Sequence, residues 1–453
     1  MMSVNNRSSC TGRRAALAGL AVLSVAFALG AARAEPPRLV LAHYLVCCPR
    51  DGHDATVENF KDEIRFAQSR KIDGFALNLT WFREAYYPAI TRRLFQAAAE
   101  LASGFRLIFS LDHSEPGDGA AIVAEFAQHP NYYRIGDRPV VSSYSGSPAW
   151  GRELKAQLAR RGIDPFFVPN YQYLSDLPLA PNYITPTARF LDRLYRQNPE
   201  LDGYFFFALE LGYKAPLVTI PTVAERSRAA GKISMVGISP FYRGMWHNSR
   251  VFEGGGFQGM AAQWRAAIAA GADWVQIVTW NDWAEATYVA PFGAPTERNL
   301  WNNHWGPLLA HVKFLEASEY FIDWFKSGRP PPIARDRLFY FYRPHLKDAL
   351  GIVDPRTGER GRPRGWQDLD DRLYVTAFLT RPLALDAVIG GRAHAATLSR
   401  GLIHVDFPLA AGPITLALRD GAHILTTKTL EFPVTASAEI GNFNYFAGEM
   451  ELP

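Results

Sequence analysis

Cysteine is scarce in this chain: its 453 residues contain three, Cys10, Cys47 and Cys48. Cys10 lies in a segment expected to be removed, so the adjacent pair Cys47-Cys48 is the only one available in an oxidising compartment. A trans peptide holds neighbouring Cα atoms about 3.8 Å apart, below the usual disulfide range of about 4.4 to 6.8 Å. A ring between them would be strained, and two readings stay open: a vicinal disulfide, or two thiols at a rim. A zinc site needs more cysteines or clustered histidines than this region holds, so no metal is expected. A net charge of one sign is also missing. Residues 1–34 contain four arginines and no acids, so their removal takes the formal charge from +4 to zero. A neutral surface of mixed charge leaves no footprint for nucleic acid. No glycine-rich phosphate loop stands at a strand-to-helix junction either. Gly254-Gly255-Gly256 precedes a helix without following a strand directly, and reads as a flexible connection over a rim.

Long apolar runs are absent past residue 34, so nothing there is expected to span a bilayer. Before it, Arg7, Arg13 and Arg14 precede an apolar run over 15–29, and Ala32-Arg33-Ala34 forms a small-x-small site ahead of Glu35. This predicts a secretory signal peptide over 1–34, cleaved after Ala34, and a secreted or periplasmic product. The Arg13-Arg14 pair also permits a twin-arginine route, although Ala15-Ala16-Leu17 matches that pattern weakly.

What the chain does have is aromatic residues, 13% of the total with 11 tryptophans, a composition suited both to core packing and to stacking on an uncharged ligand such as a sugar. From Arg38 onward, short β-rich runs alternate with amphipathic stretches. Strands are predicted at 39–43, 74–79, 106–111, 139–144, 165–168, 203–207, 234–238 and 274–280. Helices are predicted between them at 56–69, 89–102, 119–128, 149–161, 185–197, 222–230 and 258–270, with a closing helical segment at 302–325. Eight such units predict an α/β fold, a (β/α)8 barrel over 35–328. Arg329-Pro330-Pro331-Pro332 reads as a stiff linker. The alternating runs at 372–379, 402–407, 414–419 and 422–430 predict a C-terminal β-sandwich over 329–453.

The most informative segment is 273–285. The run from Trp274 to Trp280 reads as a buried strand that delivers two carboxylates, Asp282 and Glu285, to its carboxyl end, where parallel barrels do chemistry. The plainer alternative is a turn or helix cap beside a solvated glutamate. Other predicted strand ends also carry polar or aromatic groups: His43 and Tyr44, Asn78 and Trp81, Asp112 and His113, Asn170 and Tyr171, Glu210, and 239–242 ending in Tyr242. All would converge on one face.

Taken in order, these residues resemble a known family. Leu41-Ala42-His43-Tyr44, Asp73-Gly74-Phe75-Ala76-Leu77-Asn78, Phe109-Ser110-Leu111-Asp112, Arg138-Pro139-Val140-Val141, Ile238-Ser239-Pro240-Phe241-Tyr242 and Trp280-Asn281-Asp282-Trp283-Ala284-Glu285 fall on successive strands. Together they resemble glycoside hydrolase family 71, the α-1,3-glucanases or mutanases, over residues 38–315. More distantly they resemble the endo-α-mannosidases related to it. The resemblance implies a barrel that cleaves α-1,3-glucan with inversion and without a cofactor. It puts the two catalytic carboxylates on Asp282 and Glu285, and the aspartate after the third strand on Asp112. The chain departs from the family at Phe205-Phe206-Phe207-Ala208-Leu209-Glu210 and at Cys47-Cys48, both at the predicted mouth, where specificity resides.

Inversion requires an acid for the leaving oxygen and a base for water on the opposite ring face. Glu285, beside Trp283 and Tyr288, is the expected acid, since apolar walls would keep it protonated; Asp282 is the expected base, with Asp112 either an alternative base or a stabiliser of positive charge. His43, Tyr44, Asn78, His113, Glu210, Tyr242 and Asn281 are candidate hydrogen-bonding contacts to sugar. Trp81, Trp246, Trp280, Trp283, Tyr288 and Trp301 are candidate stacking or walling rings. The expected partner is a polysaccharide or oligosaccharide, met by a monomer. An α-mannan or mixed α-glucan hydrolase, and a non-catalytic carbohydrate-binding barrel, are the alternatives.

Overall fold

Eight parallel strands, each short and buried, form the first half of the computed structural model. It describes residues 37–452 apart from 81–83, 172, 175–176, 179–185, 209–211, 245–248, 292–295, 298–307 and 355–356. The strands are β1 (Leu39–Leu45), β2 (Gly74–Leu79), β3 (Arg106–Leu111), β4 (Arg138–Ser143), β5 (Phe166–Pro169), β6 (Gly203–Phe206), β7 (Ile233–Ile238) and β8 (Trp274–Ile277). Their hydrogen-bonded order is β5-β4-β3-β2-β1-β8-β7-β6. Both ends of that path meet, because Asp202 N–H donates to Phe167 O at 3.0 Å. The result is a curled, TIM-barrel-like sheet in a mixed α/β fold.

Alternation along each strand divides two apolar layers. In β1, Leu39 and Leu41 pack with Ala76, Ile108, Val140, Phe205, Met235 and Trp274 inside the curl. Val40, Ala42 and Tyr44 point the other way, into the layer shared with the helices. Burial on both faces explains why these strands read as unbroken apolar runs.

Among the described residues eight α-helices cover the outside: α1 (Val57–Ser69), α2 (Tyr86–Leu101), α3 (Pro116–Phe126), α4 (Pro148–Ala159), α5 (Ala188–Gln197), α6 (Pro216–Ala229), α7 (Gly256–Ala270) and α8 (Val312–Ser327). Side-chain caps start several of them. Thr56 and Asn59 form a reciprocal capping box on α1, while Ser147 and Thr187 accept from the third backbone N–H of α4 and α5. The expected start of α6 at 222 is too late. Pro216 occupies its first turn, and the helix runs on through Pro221.

Beyond the prolines lie two four-stranded antiparallel sheets. The first is ordered β13-β10-β9-β16 and the second β12-β11-β14-β15, from β9 (Arg337–Tyr342), β10 (Arg372–Leu379), β11 (Leu383–Ile389), β12 (Arg392–Leu398), β13 (Gly401–Pro408), β14 (Ile414–Asp420), β15 (His423–Thr429) and β16 (Phe446–Met450). Leu338, Tyr340 and Tyr342 of β9 share a core with Leu385, Ile389, Leu416 and Leu418 of the second sheet. The opposite face of β9 carries Phe339 and Phe341, which belong to the helix-layer core instead. Phe341 lies 4.6 Å from Phe314 of α8 and 5.9 Å from Phe257 of α7, centroid to centroid.

The expectation of a flexible connection at Gly254-Gly255-Gly256 is corrected. All three are buried, and a Cβ on Gly254 would lie 2.6 Å from Pro240 O. Gly256, at φ +54°, sits against Tyr374 of β10, so that a Cβ would lie 2.6 Å from the Tyr374 Cβ. Close approach of α7 to the first antiparallel sheet, and not loop mobility, is what requires glycine here.

Gly256→Ala therefore meets both positive φ and a steric clash, and is expected to cost on the order of 3 kcal/mol. Gly104→Ala, at φ +73° in open space, should cost only about 1 kcal/mol. Urea unfolding midpoints of the two variants check the difference.

Candidate active site

Aspartates stand at both ends of the parallel sheet and are used differently. At the amino ends, Asp73, Asp202 and Asp273 immediately precede β2, β6 and β8, and each accepts a backbone N–H from a neighbouring strand: Val40 at 2.9 Å, Phe167 at 2.9 Å and Ser234 at 2.8 Å. Asp73 and Asp202 are also paired with Lys326 and Arg138. These acids tie the sheet together. At the carboxyl ends, among the described residues, neither Asp112 nor Asp282 pairs with a lysine or arginine. A half-buried carboxylate without a cation, at the end where parallel barrels act, is the stronger candidate for chemistry.

The strands that carry these groups are neighbours in the sheet. β8 pairs with β1 from Leu39↔Trp274 to Ala42↔Ile277, β1 with β2 up to Leu45↔Asn78, and β2 with β3 up to Leu79↔Leu111. Backbone bonds continue past the ends: Trp280 N–H to His43 O at 2.7 Å, Val46 N–H to Asn78 O at 3.2 Å and Asp112 N–H to Leu79 O at 2.9 Å. His43, Asn78, Asp112 and the turn after β8 thus occupy one continuous arc of four strand ends.

Asp112 follows β3. Its Oδ2 accepts from Asn78 Nδ2 at 3.3 Å and its Oδ1 from Ser145 Oγ at 3.1 Å, with His113 Nε2 3.4 Å from Oδ1. Burial raises its pKa, against the opposing pull of His113, Asn78 and Ser145. Asp282 sits in the turn after β8. Its N–H donates to Thr279 Oγ1 at 2.9 Å, and its Oδ1 accepts the Glu285 N–H at 2.9 Å. Burial raises its pKa to about 6, although the N–H groups of Glu285 and Ala284 favour the ionised form. Glu285 Oε1 accepts from the Tyr242 hydroxyl at 3.2 Å, and Glu285 O accepts the Arg243 N–H at 2.9 Å.

His43 is buried, with Nδ1 3.0 Å from Gln276 Oε1 and its ring 4.8 Å edge-on to Phe207. Because Gln276 Nε2 is directed at Met235 Sδ, the contact to Oε1 places the proton on Nδ1 and leaves Nε2 an acceptor. Burial lowers the His43 pKa to about 4, so the ring is neutral near pH 7.

Five candidates turn out to hold the scaffold. Tyr44 and Trp280 were expected at the sugar, but both side chains lie fully buried in the helix-facing layer. There the Tyr44 hydroxyl and the Trp280 indole N–H donate to Glu63 of α1, at 3.2 and 2.6 Å. The alternation of β1 sends Tyr44 outward, whereas Trp280 lies past the end of β8, where the inward parity of Trp274 and Val278 no longer holds. Asn281 clamps the β1 end, accepting from Leu45 N–H at 2.7 Å and donating to Leu45 O and Cys48 O at 2.9 and 2.8 Å. Trp283 donates to Cys48 O at 2.9 Å, and Tyr288 donates to Leu309 O at 2.7 Å. Their rings pack at 4.8 Å, and Tyr288 stacks on His311 at 4.3 Å. Trp81, Glu210, Trp246 and Trp301 lie outside the described residues. Sequence reasoning missed Ser145, Gln276, Thr279 and Glu63. Gln276 had a legible signal, a polar residue at an inward position of an apolar strand. Cys47 and Cys48 form a disulfide with each other, which closes the alternative left open above. Among the described residues no cluster of three or more histidine, cysteine, aspartate or glutamate side chains is arranged to hold a metal ion.

A TIM-barrel-like sheet with carboxylates at the carboxyl ends of its strands is an arrangement compatible with a glycoside hydrolase, and the family match gives that class. The profile of glycosyl hydrolase family 71 matches residues 36–452, and the chain belongs to that family. It is 24% identical over 429 residues to a glucan endo-1,3-alpha-glucosidase of Schizosaccharomyces pombe, covering 91% of this chain and 94% of that one. A mutanase of Penicillium rubens is 24% identical, covering 91% and 88%, and an ascus wall endo-1,3-alpha-glucanase of S. pombe is 25% identical, covering 79% and 82%. Among solved structures, the GH99 endo-alpha-mannosidase from Bacteroides thetaiotaomicron shares the fold at 16% identity and a TM-score of 0.50, covering 64% of this chain and 98% of that one.

Glu63 is buried and its pKa is raised to about 7, chiefly by that burial. Its folded value, like that of Asp282, exceeds the unfolded one, so the folded state binds more protons between the two values and stability rises as pH falls through this range. Wild-type protein should therefore gain stability from pH 8 to pH 5, on the order of 2 kcal/mol for each group at most. Glu63→Gln and Asp282→Asn should each flatten the profile, as read by chemical denaturation at stepped pH.

Proposed function

We propose that this protein is a secreted endo-acting hydrolase of α-1,3-glucan that works with inversion, Glu285 serving as general acid and Asp282 as general base. Residues 35–328 form its catalytic (β/α)8 barrel, 329–453 an accessory β-sandwich, and 1–34 a secretory leader. The observation that carries the chemistry is the Asp282–Glu285 turn. Two carboxylates emerge from one strand end, one with its pKa raised to about 6 by burial and the other held by a tyrosine hydroxyl. A base is most effective when its pKa lies close to the working pH, and a value near 6 leaves Asp282 ionised at neutrality yet more basic than a solvated aspartate. The choice of α-1,3-glucan rests on family membership and on the names of its relatives.

In this reading, water between Asp282 and the anomeric carbon loses a proton to Asp282 as it attacks. Glu285 protonates the departing oxygen from the opposite face, which requires carboxyl groups about 6.5 to 9.5 Å apart. Asp112, oriented by Asn78 and Ser145, carries negative charge that offsets the oxocarbenium-like transition state. Neutral His43 accepts a sugar hydroxyl at Nε2. Asn78, His113 and Tyr242 supply further polar contacts, and Trp81, Glu210 and Trp246 complete the candidate set from the segments outside the described residues. Asn281, Trp283 and Tyr288 act by fixing the turn. The substrate is a polysaccharide, no cofactor takes part, and the enzyme acts as a monomer. No helix among the described residues is long and apolar enough to cross a membrane.

Purified protein should release reducing ends from α-1,3-glucan and leave α-mannan uncut, with the first product appearing as the β-anomer by proton NMR. Release of the α-anomer would exclude inversion, and hydrolysis of mannan alone would exclude the substrate. Asp282→Asn and Glu285→Gln should each lower kcat by about 10² to 10⁴ while substrate still binds. In wild type, kcat/KM should fall as pH drops below about 6, where Asp282 protonates; a fall above that pH instead would reverse the assigned roles.

A further inference from the structure

Resting on the assignment of Asp282 and Glu285 as the reacting pair, we propose that the Cys47–Cys48 disulfide is a positioning element that sets the geometry of the catalytic turn, so that activity depends on its oxidation state. The two residues that flank Asp282 in the chain both bond to a single atom, the carbonyl oxygen of Cys48: Asn281 Nδ2 at 2.8 Å and Trp283 Nε1 at 2.9 Å. Asn281 is wholly buried and Trp283 is 2% exposed. If that carbonyl swings away, a buried indole N–H and a buried amide N–H lose their acceptor, at about 1 to 3 kcal/mol each. The turn then rearranges to recover them, and Asp282 lies between the two anchors.

The position of that oxygen is controlled from both sides. On the amino side, the disulfide joins neighbouring residues, so its ring runs through their peptide and removes the ψ of Cys47 and the φ of Cys48 as free torsions. On the carboxyl side, Pro49 restricts Cys48 to extended ψ. Cys48 N–H adds a bond to Leu45 O at 3.2 Å, and His53 Nε2 lies 2.7 Å from Cys47 O. A post-strand loop is ordinarily the least constrained part of a barrel. Here a ring and a proline pin the one acceptor on which both neighbours of Asp282 depend. Both cysteines are only partly buried, so a small reductant has access. Dithiothreitol would deliver two electrons and two protons, opening the S–S bond to two thiols while itself closing to its cyclic disulfide.

Four measurements on the mature chain test this. Thiol titration of denatured, unreduced protein should find no free thiol; two would overturn the proposal. The Cys47→Ala/Cys48→Ala double variant should show kcat lowered by about tenfold to a hundredfold, with KM changed less than about twofold. Its acid limb in the pH profile should also be displaced, because the surroundings of Asp282 have changed. Dithiothreitol should produce the same fall in wild type, reversed on reoxidation, and have no effect on the double variant. Loss of activity explained wholly by loss of folded protein, with kcat per folded molecule unchanged, would overturn the proposal. Hydrogen exchange at amides 281–285 and at the Trp283 indole gives a readout independent of catalysis and should quicken when the ring opens. Unchanged exchange sinks the positioning role. Full activity of Asp282→Asn and Glu285→Gln would sink only the assignment of the acids.

Discussion

The side-chain amide of Asn281 closes on both backbone groups of Leu45, and the rest of the site follows from that bridge. The regular ladder between the last parallel strand and β1 ends at Ile277, and past it one backbone bond to β1 follows, from Trp280 N–H to His43 O. Beyond Trp280 the chain leaves the sheet with two carboxylates still to place. An amide can imitate a strand, with one acceptor and two donors in a plane, so Asn281 extends the ladder past the point where the backbone ceases to pair. Aspartate at this position would offer no donor to Leu45 O, and a hydrophobic residue would offer nothing. Trp280, one residue earlier, fixes the same segment from the outer side through Glu63. The turn is therefore held from the helix layer and from the neighbouring strand, and the acids have little room left to choose a position.

The electrostatics follow from the same arrangement. Glu63 and Asp282 are both carboxyl groups made less acidic by burial, yet one stands on α1 and the other in the turn after β8, and they differ in what surrounds them. Glu63 accepts two side-chain donors, Tyr44 and Trp280, and acts as a structural acceptor. Asp282 receives backbone N–H groups of its own turn, which leaves its reactivity to be set by whatever enters from solvent. The amino-end aspartates mark the contrast, since each bonds a neighbouring strand's backbone.

Much of the barrel was legible because two-sided burial writes unbroken apolar runs into parallel strands, and all eight fall within a few residues of their expected bounds. The placement of Asp112 and Asp282 just past strand ends was legible because each directly follows or closely trails such a run. What stayed hidden has specific causes. Tyr44 and Trp280 look like ligand contacts in sequence, but Tyr44 falls on the outward parity of its strand, and Trp280 turns to the outer layer only because the strand has ended at Ile277, so that inward parity no longer applies. Gly254-Gly255-Gly256 looks mobile until Tyr374, more than a hundred residues later, is seen against it. The strand Arg337–Tyr342 escaped notice because aromatics buried on both faces suppress the alternation that marks an antiparallel strand. The pairing of Cys47 with Cys48 was left undecided, since distance arguments alone do not say whether a strained ring forms.

That same aromatic strand has a wider consequence. Phe341 inserts between α7 and α8 while Tyr340 and Tyr342 face the second sheet, so the wall of the barrel and the floor of the β-region are the two sides of one ribbon. Nothing can be lifted off as an independent appendage. A polypeptide cut at the proline run would keep α7 and α8 but lose the ribbon that roofs them, leaving a greasy flank that invites clumping.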